Sequence, residues 1–149
     1  MRVRCGAVRN TMTDMVALIS HTTFDSLNSF TQALFWGKVL GFIEDPDDPN
    51  VPGDEDCMIF SLDGSQRLLF IEVPEVKQIK NRVHLDLKPA EGTRDQELDR
   101  LLGLGALTVE DRRRSDGSGW VVLADPEGNE FCILRSDEER VPKSELQTS

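Results

Sequence analysis

No stretch of this 149-residue chain is apolar over a run long enough to cross a bilayer. The opening MRVRCGAVRNTMTDM carries arginines but lacks the apolar segment of a secretory signal, so the expected compartment is the cytoplasm. Cysteine is scarce. Cys5, Cys57 and Cys132 are odd in number and show no metal-clip spacing, which argues for reducing surroundings without disulfides. Cys57 and Cys132 fall inside strand patterns, where a thiol is ordinarily a small buried hydrophobe. Basic residues are in short supply, 17 Lys+Arg against 27 Asp+Glu for a net charge of −10. The first fourteen residues hold three arginines and one aspartate, leaving 14 against 26, or −12, for the rest. That balance argues against a nucleic-acid partner, which needs a basic face. It serves solubility and favours cationic ligands weakly through the long-range field.

What is present is 38% apolar content, enough for one domain with a real core. Residues 1–14 show no periodicity and read as a loose tail, with Met12 or Met15 as alternative starts; residues 137–149 read as a flexible C-terminal tail. Between them lies one domain over 15–136. MVALISHTTF (15–24) is β-branched and apolar, a strand. In DSLNSFTQALFWGKVLG (25–41), Leu27, Phe30 and Leu34 share a helical face, Asp25 or Ser26 can cap it and Gly41 can end it. FIE (42–44) starts a short strand, and DPDDPNVPGDED (45–56) is a loop. CMIFSL (57–62), RLLFIEVP (67–74) and RVHLDL (82–87) are strands. A second helix opens at Thr93, with Gln96 at capping-box spacing and a stripe of Leu98, Leu101 and Leu102, and closes at Gly105. Strands follow at 106–113, 120–125 and 130–135, joined by the turns SDGSG and PEGN.

The order is β-α-β-β-β twice, over about 15–75 and 81–136. His21 stands 20 residues before Gly41, and His84 stands 21 before Gly105. Neither half can bury its sheet alone. The fold class is therefore α+β: two βαβββ repeats forming an open, cup-shaped half-barrel, with helices on the outer face and a concave inner face for a ligand. In RVHLDL, alternation sets Val83, Leu85 and Leu87 on one face and His84, Asp86 and Lys88 on the other, so His84 and Asp86 are expected to face the cup.

The stretches ALFWGKVLGF (33–42), NRVHLDL (81–87) and GWVVLADPEGNEFCIL (119–134) resemble the vicinal-oxygen-chelate superfamily, which includes glyoxalase I, extradiol dioxygenases, and fosfomycin- and bleomycin-resistance proteins. The resemblance covers about 15–136 and is greatest to the glyoxalase-like subfamily. Metal enzymes of the superfamily hold one divalent ion with four side chains, one from the first and one from the last strand of each half. The resemblance implies His21 and His84 at the first-strand positions, Glu72 at one last-strand position and Cys132 at the other, where glyoxalase-type enzymes have glutamate. A thiolate there would prefer Zn²⁺ to Mg²⁺ or Mn²⁺. Zn, Mn, Ni or Fe is the implied cofactor, and no metal at all is an equal alternative.

Glu130 shares a face with Cys132 and is the candidate proton carrier, provided that burial raises its pKa. Asp86 and Trp120 are candidate substrate contacts. DRRR (111–114) reads as a solvated turn rather than an anion grip, and DPEGNE (125–130) as a β-turn rather than a calcium loop. The expected function is that of a metal-assisted lyase, isomerase or dioxygenase acting on a small organic molecule. The alternative is a metal-free protein that sequesters a cationic or aromatic compound. Neither reading calls for a membrane or nucleic acid, and a homodimer through open sheet edges is expected.

Overall fold

The computed structural model describes residues 16–140. The first half holds β1 (Thr22–Ser26), α1 (Ser29–Leu40), β2 (Asp56–Phe60) and β3 (Arg67–Glu72). The second holds β4 (Leu85–Leu87), α2 (Arg94–Gly103), β5 (Leu107–Asp111), β6 (Val121–Ala124) and β7 (Glu130–Ile133), followed by the short helix α3 (Asp137–Arg140). The sheets run β1-β3-β2 and β4-β7-β6-β5. In each, the first strand lies parallel to the last, which is the predicted repeat. The strand expected at 42–44 is reduced to a single bridge, Ile43 to Phe60. The strand expected over 15–24 is shorter and later, because only from Thr22 does β3 supply a partner.

The helices cover one face of the sheets. Leu68 and Phe70 of β3, Cys57 and Ile59 of β2, and Phe131 and Ile133 of β7 are buried on that face. Helix α1 turns Ser29, Gln32, Ala33, Trp36 and Val39 inward, the spacing of one helical face. This corrects the expected stripe: Leu27 and Leu34 are about half exposed, at 47% and 48%. The sequence pattern follows aliphatic side chains, whereas the buried face is chosen by Trp36 and two polar residues with fixed partners. Asn28 caps the helix by accepting from Thr31 N at 2.9 Å, in place of Asp25 or Ser26. Gly41 ends it at φ 66°, a left-handed conformation suited to glycine. The Thr93–Gln96 capping box forms as predicted.

Trp36 joins the halves. Its ring centroid is 5.0 Å from Phe131 of the second sheet and 5.7 Å from Phe24 of the first. Its indole N–H donates to Asp125 Oδ2 at 3.0 Å, and Gln32 Nε2 donates to the same oxygen at 2.8 Å. Asp125 is 1% exposed and also accepts from the backbone N–H of Glu127 and Asn129 and from the Asn129 side chain. A buried carboxylate with five donors is a strong fixed point. The DPEGN turn, read as a plain turn, is thus the clasp between the halves. Glu127 of the same turn accepts from the backbone N–H of Leu27. Arg100 of α2 completes the join by donating to Lys38 O and Val39 O at the C-terminus of α1, where a cation suits the helix dipole.

Residues 137–140, expected to be part of a loose tail, are fastened. Asp137 pairs with Lys88 at 2.6 Å, and Glu139 accepts from Arg94 N and Ser136 N. The rest of that tail, 141–149, and the tail at 1–14 lie outside the described residues.

Candidate functional site

The face away from the helices carries the converging His84, Asp86 and Cys132 side chains. Ladder partners share a face, and Asp86 pairs with Cys132 across β4 and β7. His84, one position before β4 and two before Asp86, falls on that face by alternation. Among the described residues, one group of three His/Cys/Asp/Glu side chains brings its ligand atoms within 4.8 Å of one another: His84, Asp86 and Cys132. His84 Nε2 is 3.4 Å from Asp86 Oδ1, with both side chains about half exposed, while Cys132 is buried. Burial, reinforced by the neighbouring Asp86 carboxylate, pushes the Cys132 thiol up to about 11. It is a protonated thiol at neutral pH unless a cation displaces the proton.

The first half does not reproduce this group. Thr22 pairs with Leu68 and Leu85 with Phe131, 46 residues on in both cases, so the two halves share one register. Setting His21 on His84, 63 positions on, places Thr22 and Leu68 at Leu85 and Phe131, buried Leu68 meeting buried Phe131. In that alignment Thr23 falls at Asp86 and Leu69 at Cys132. Glu72 lies three positions past Leu69, an odd step that puts it on the other face. It shares the parity of Leu68 and Phe70, which are buried under the helices; Phe70 stacks on Phe24 at 5.4 Å. Glu72 is exposed at the end of β3 and takes no part in the converging group. His21 is exposed, with Nδ1 3.0 Å from Ser20 Oγ. The four-donor set expected from both halves is therefore not assembled, whereas the three second-half donors have the nitrogen, oxygen and sulfur chemistry that a divalent ion accepts.

A cleft of about 580 Å³ lies between β1 and β4, the facing edges of the two sheets. Phe24, Trp36 and Leu85 give it apolar walls, while Asp25, His84 and Asn129 offer polar groups. Its size and mixed lining suit a small organic molecule. A neighbouring groove of about 390 Å³ shares Thr22 and Leu85 with it and includes His21 and Asp86, so the two histidines open onto different parts of the same seam.

The connection between the halves, residues 73–84, runs along the cleft. Lys77 Nζ binds Glu130 Oε1 at 2.9 Å, Asn81 N donates to Glu130 Oε2 at 3.1 Å, and Asn81 Nδ2 donates to Asn129 Oδ1 at 2.8 Å. Burial pushes Glu130 up, but the hydrogen bonds from Lys77 and Asn81 outweigh it and hold the carboxyl below its ordinary value. This is the reverse of what a proton carrier near neutral pH needs, so Glu130 is a latch for the connection. Trp120 is half-buried, stacked under Arg112 at 5.8 Å, and does not line the cleft. Two of the three arginines of DRRR are held in local pairs, Arg113 with Asp111 at 2.6 Å and Arg112 with Glu110 at 2.9 Å. Asp125, Gln32, Lys77 and Asn81 carry no signal of their own in the sequence, because each acts through partners dozens of positions away.

Comparison with known proteins agrees with this architecture. The family model described as "Glyoxalase-like domain" matches residues 21–134, from the first histidine to just past Cys132. The chain belongs to the glyoxalase-like domain family. It is thereby a vicinal-oxygen-chelate protein, and its fold is shared with solved members. The fosfomycin resistance protein FosX from Listeria monocytogenes, in a mutant form complexed with Mn(II) and 1S,2S-dihydroxypropylphosphonic acid, superimposes with a TM-score of 0.60 at 16% identity, covering 87% of this chain and 99% of that one. FosX from Mesorhizobium loti gives 0.58 at 17% identity, over 91% and 100%. A glyoxalase/bleomycin resistance protein/dioxygenase family enzyme from Burkholderia phytofirmans gives 0.59 at 19%, over 78% and 97%. At these identities the likeness is one of fold. A search of curated proteins finds no match. No helix among the described residues is long and apolar enough to cross a membrane.

Proposed function

We propose that this glyoxalase-like protein binds a small organic molecule in the cleft between β1 and β4 and acts on it as a metal-assisted enzyme of the lyase, isomerase or dioxygenase type. The observation that carries the reading is the position of His84, which belongs both to the cleft wall and to the converging donor group. A divalent ion held by His84 and Cys132 would supply Lewis-acid polarisation of substrate oxygens. The chain's own residues do the rest. Phe24 and Trp36 offer apolar contact, Asn129 and Thr23 offer hydrogen bonds, and the Lys77–Glu130 latch holds the connection that shields one side from water. The Mn(II) in the Listeria FosX structure supports the reading through likeness of fold.

Elemental analysis of untagged protein, purified without chelator, tests it. About one transition metal per chain is expected. No metal, even after addition of Zn²⁺, Mn²⁺, Ni²⁺ or Fe²⁺, would overturn the metal reading.

A second reading, a metal-free binder of the drug-sequestering kind, is favoured by Leu69, which offers no donor at the first-half position. It is also favoured by the cleft's charge: Asp25, Glu75 and Glu130 outnumber Lys77, which suits a cationic ligand. Binding that survives complete removal of metal would select this reading. In either case a cytoplasmic homodimer is proposed, since β5 leaves its edge open with Leu107 67% and Val109 56% exposed. Light scattering on the purified protein would give twice the 16.7 kDa chain mass.

A further inference from the structure

We infer that His84, Asp86 and Cys132 make up the whole protein side of the metal site, that this site draws no ligand from the first half, and that it takes a thiophilic divalent ion of the zinc type. The inference rests on the metal-assisted reading and narrows it.

Three observations carry it. The first is convergence. His84 and Asp86 sit two apart on one face of the β4 segment, and Cys132 is the ladder partner of Asp86 on β7. Donors on adjacent paired strands are held by the ladder rather than by a loop. In a tetrahedral site with bonds of about 2.0–2.3 Å, neighbouring donors lie roughly 3.3–3.7 Å apart. The His84–Asp86 edge is already 3.4 Å, and the whole group spans no more than 4.8 Å. Small side-chain rotations are enough to close it.

The second observation is the shared register. With His21 set on His84, it puts Thr23 and Leu69 where the second half has Asp86 and Cys132. A hydroxyl and an isobutyl group cannot complete a site around His21, and Glu72 is three positions away on the other face. The carboxylate that the first half lacks is supplied by Asp86.

The third is donor chemistry. One imidazole, one carboxylate and one thiol make a borderline-soft set that prefers Zn²⁺ or Co²⁺ to Mg²⁺ or Mn²⁺. Three protein donors leave a fourth position open. His84 and Asp86 are 42% and 52% exposed, so that position is reached from solvent and from the cleft lined by His84.

Titration of the metal-free full chain with Co²⁺, followed by displacement with Zn²⁺, tests this without any activity assay. The expected result is one Co²⁺ per chain with a near-ultraviolet thiolate charge-transfer band, and Zn²⁺ binding tighter than Mn²⁺. Cys132→Ser should abolish the band, and Cys57→Ser should keep it. Asp86→Asn, at an exposed position that does not threaten folding, should weaken binding at least tenfold, as should His84→Ala. His21→Ala and Glu72→Gln should stay within twofold of wild type. A tenfold loss in either first-half variant, or tighter binding of Mn²⁺, would overturn this inference while leaving the metal-assisted reading in place. Failure to bind any of these ions stoichiometrically would overturn both.

Discussion

The two halves of this molecule are built on one register and equipped differently. Both pair their first strand in parallel with their last at the same 46-residue separation. At matching positions the first half has His21, Thr23 and Leu69, and the second has His84, Asp86 and Cys132. The same holds for the turn before the last strand. Asp125 of the second half is the buried clasp, and its counterpart, Leu62, is 81% exposed. The first half contributes Trp36 and Gln32, which dock into the second. A repeated fold therefore need not repeat its side chains: both halves line the cleft, the first adds Trp36 and Gln32 to the joint, and the second holds their socket and the converging His84, Asp86 and Cys132.

Paired substitutions at matching positions test this contrast. The largest effect is expected at the clasp. Asp125→Ala strips the acceptor from five donors, including the buried Trp36 and Gln32 side chains. Buried donors left unpaired cost about 1–3 kcal/mol each, not fully additive. We expect a loss of about 3–5 kcal/mol in urea unfolding, against under ~0.5 kcal/mol for Leu62→Ala on the exposed side. Equal effects would mean that the halves are not joined through this turn.

A smaller effect is expected at the latch. Lys77→Ala leaves Glu130, whose side chain is 14% exposed, with only Asn81 N as partner. The expected cost is about 1–3 kcal/mol, with faster amide exchange in residues 73–84. Arg67, the exposed first-half counterpart of Glu130, should be replaceable by alanine with little change.

The pH dependence of the latch has a definite sign. Glu130 is held below its ordinary value in the folded chain, so it contributes stability that is fully present above the ordinary carboxylate range. That contribution is lost as pH falls through the lowered value. Amide exchange at Asn81, measured relative to exposed turns, should rise over that acidic window in wild type. It should show no such step in Glu130→Gln.

Much of this is legible in the sequence. The repeat, the capping box at Thr93, the end of α1 at Gly41 and the strand alternation that turns His84 and Asp86 away from the core follow from local chemistry, which operates over a few residues. The helical stripe on α1 does not follow, because Leu27 and Leu34 are more apolar than Gln32 and Ser29 while only the latter have buried partners. The resemblance implies Glu72, 51 residues after His21, and Cys132, 48 after His84; the three-residue disagreement reverses strand parity, and only the observed ladder exposes it. Asp125 and Glu130 are hidden for a different reason. An acidic residue in a turn reads as solvated unless its partners are known, and theirs come from positions 32, 36, 77 and 81.

With His21 set on His84, Leu69, and not Glu72, is the first-half counterpart of Cys132. The measurement that tests it most directly is the metal affinity of Leu69→Glu compared with wild type and Glu72→Gln, by competition titration with Zn²⁺ and Mn²⁺. Leu69→Glu, by placing a carboxylate on the donor face, should raise Mn²⁺ affinity by about tenfold or more, equivalent to about 1.4 kcal/mol, while Glu72→Gln should change nothing. No gain in Leu69→Glu together with loss of binding in Glu72→Gln would contradict it.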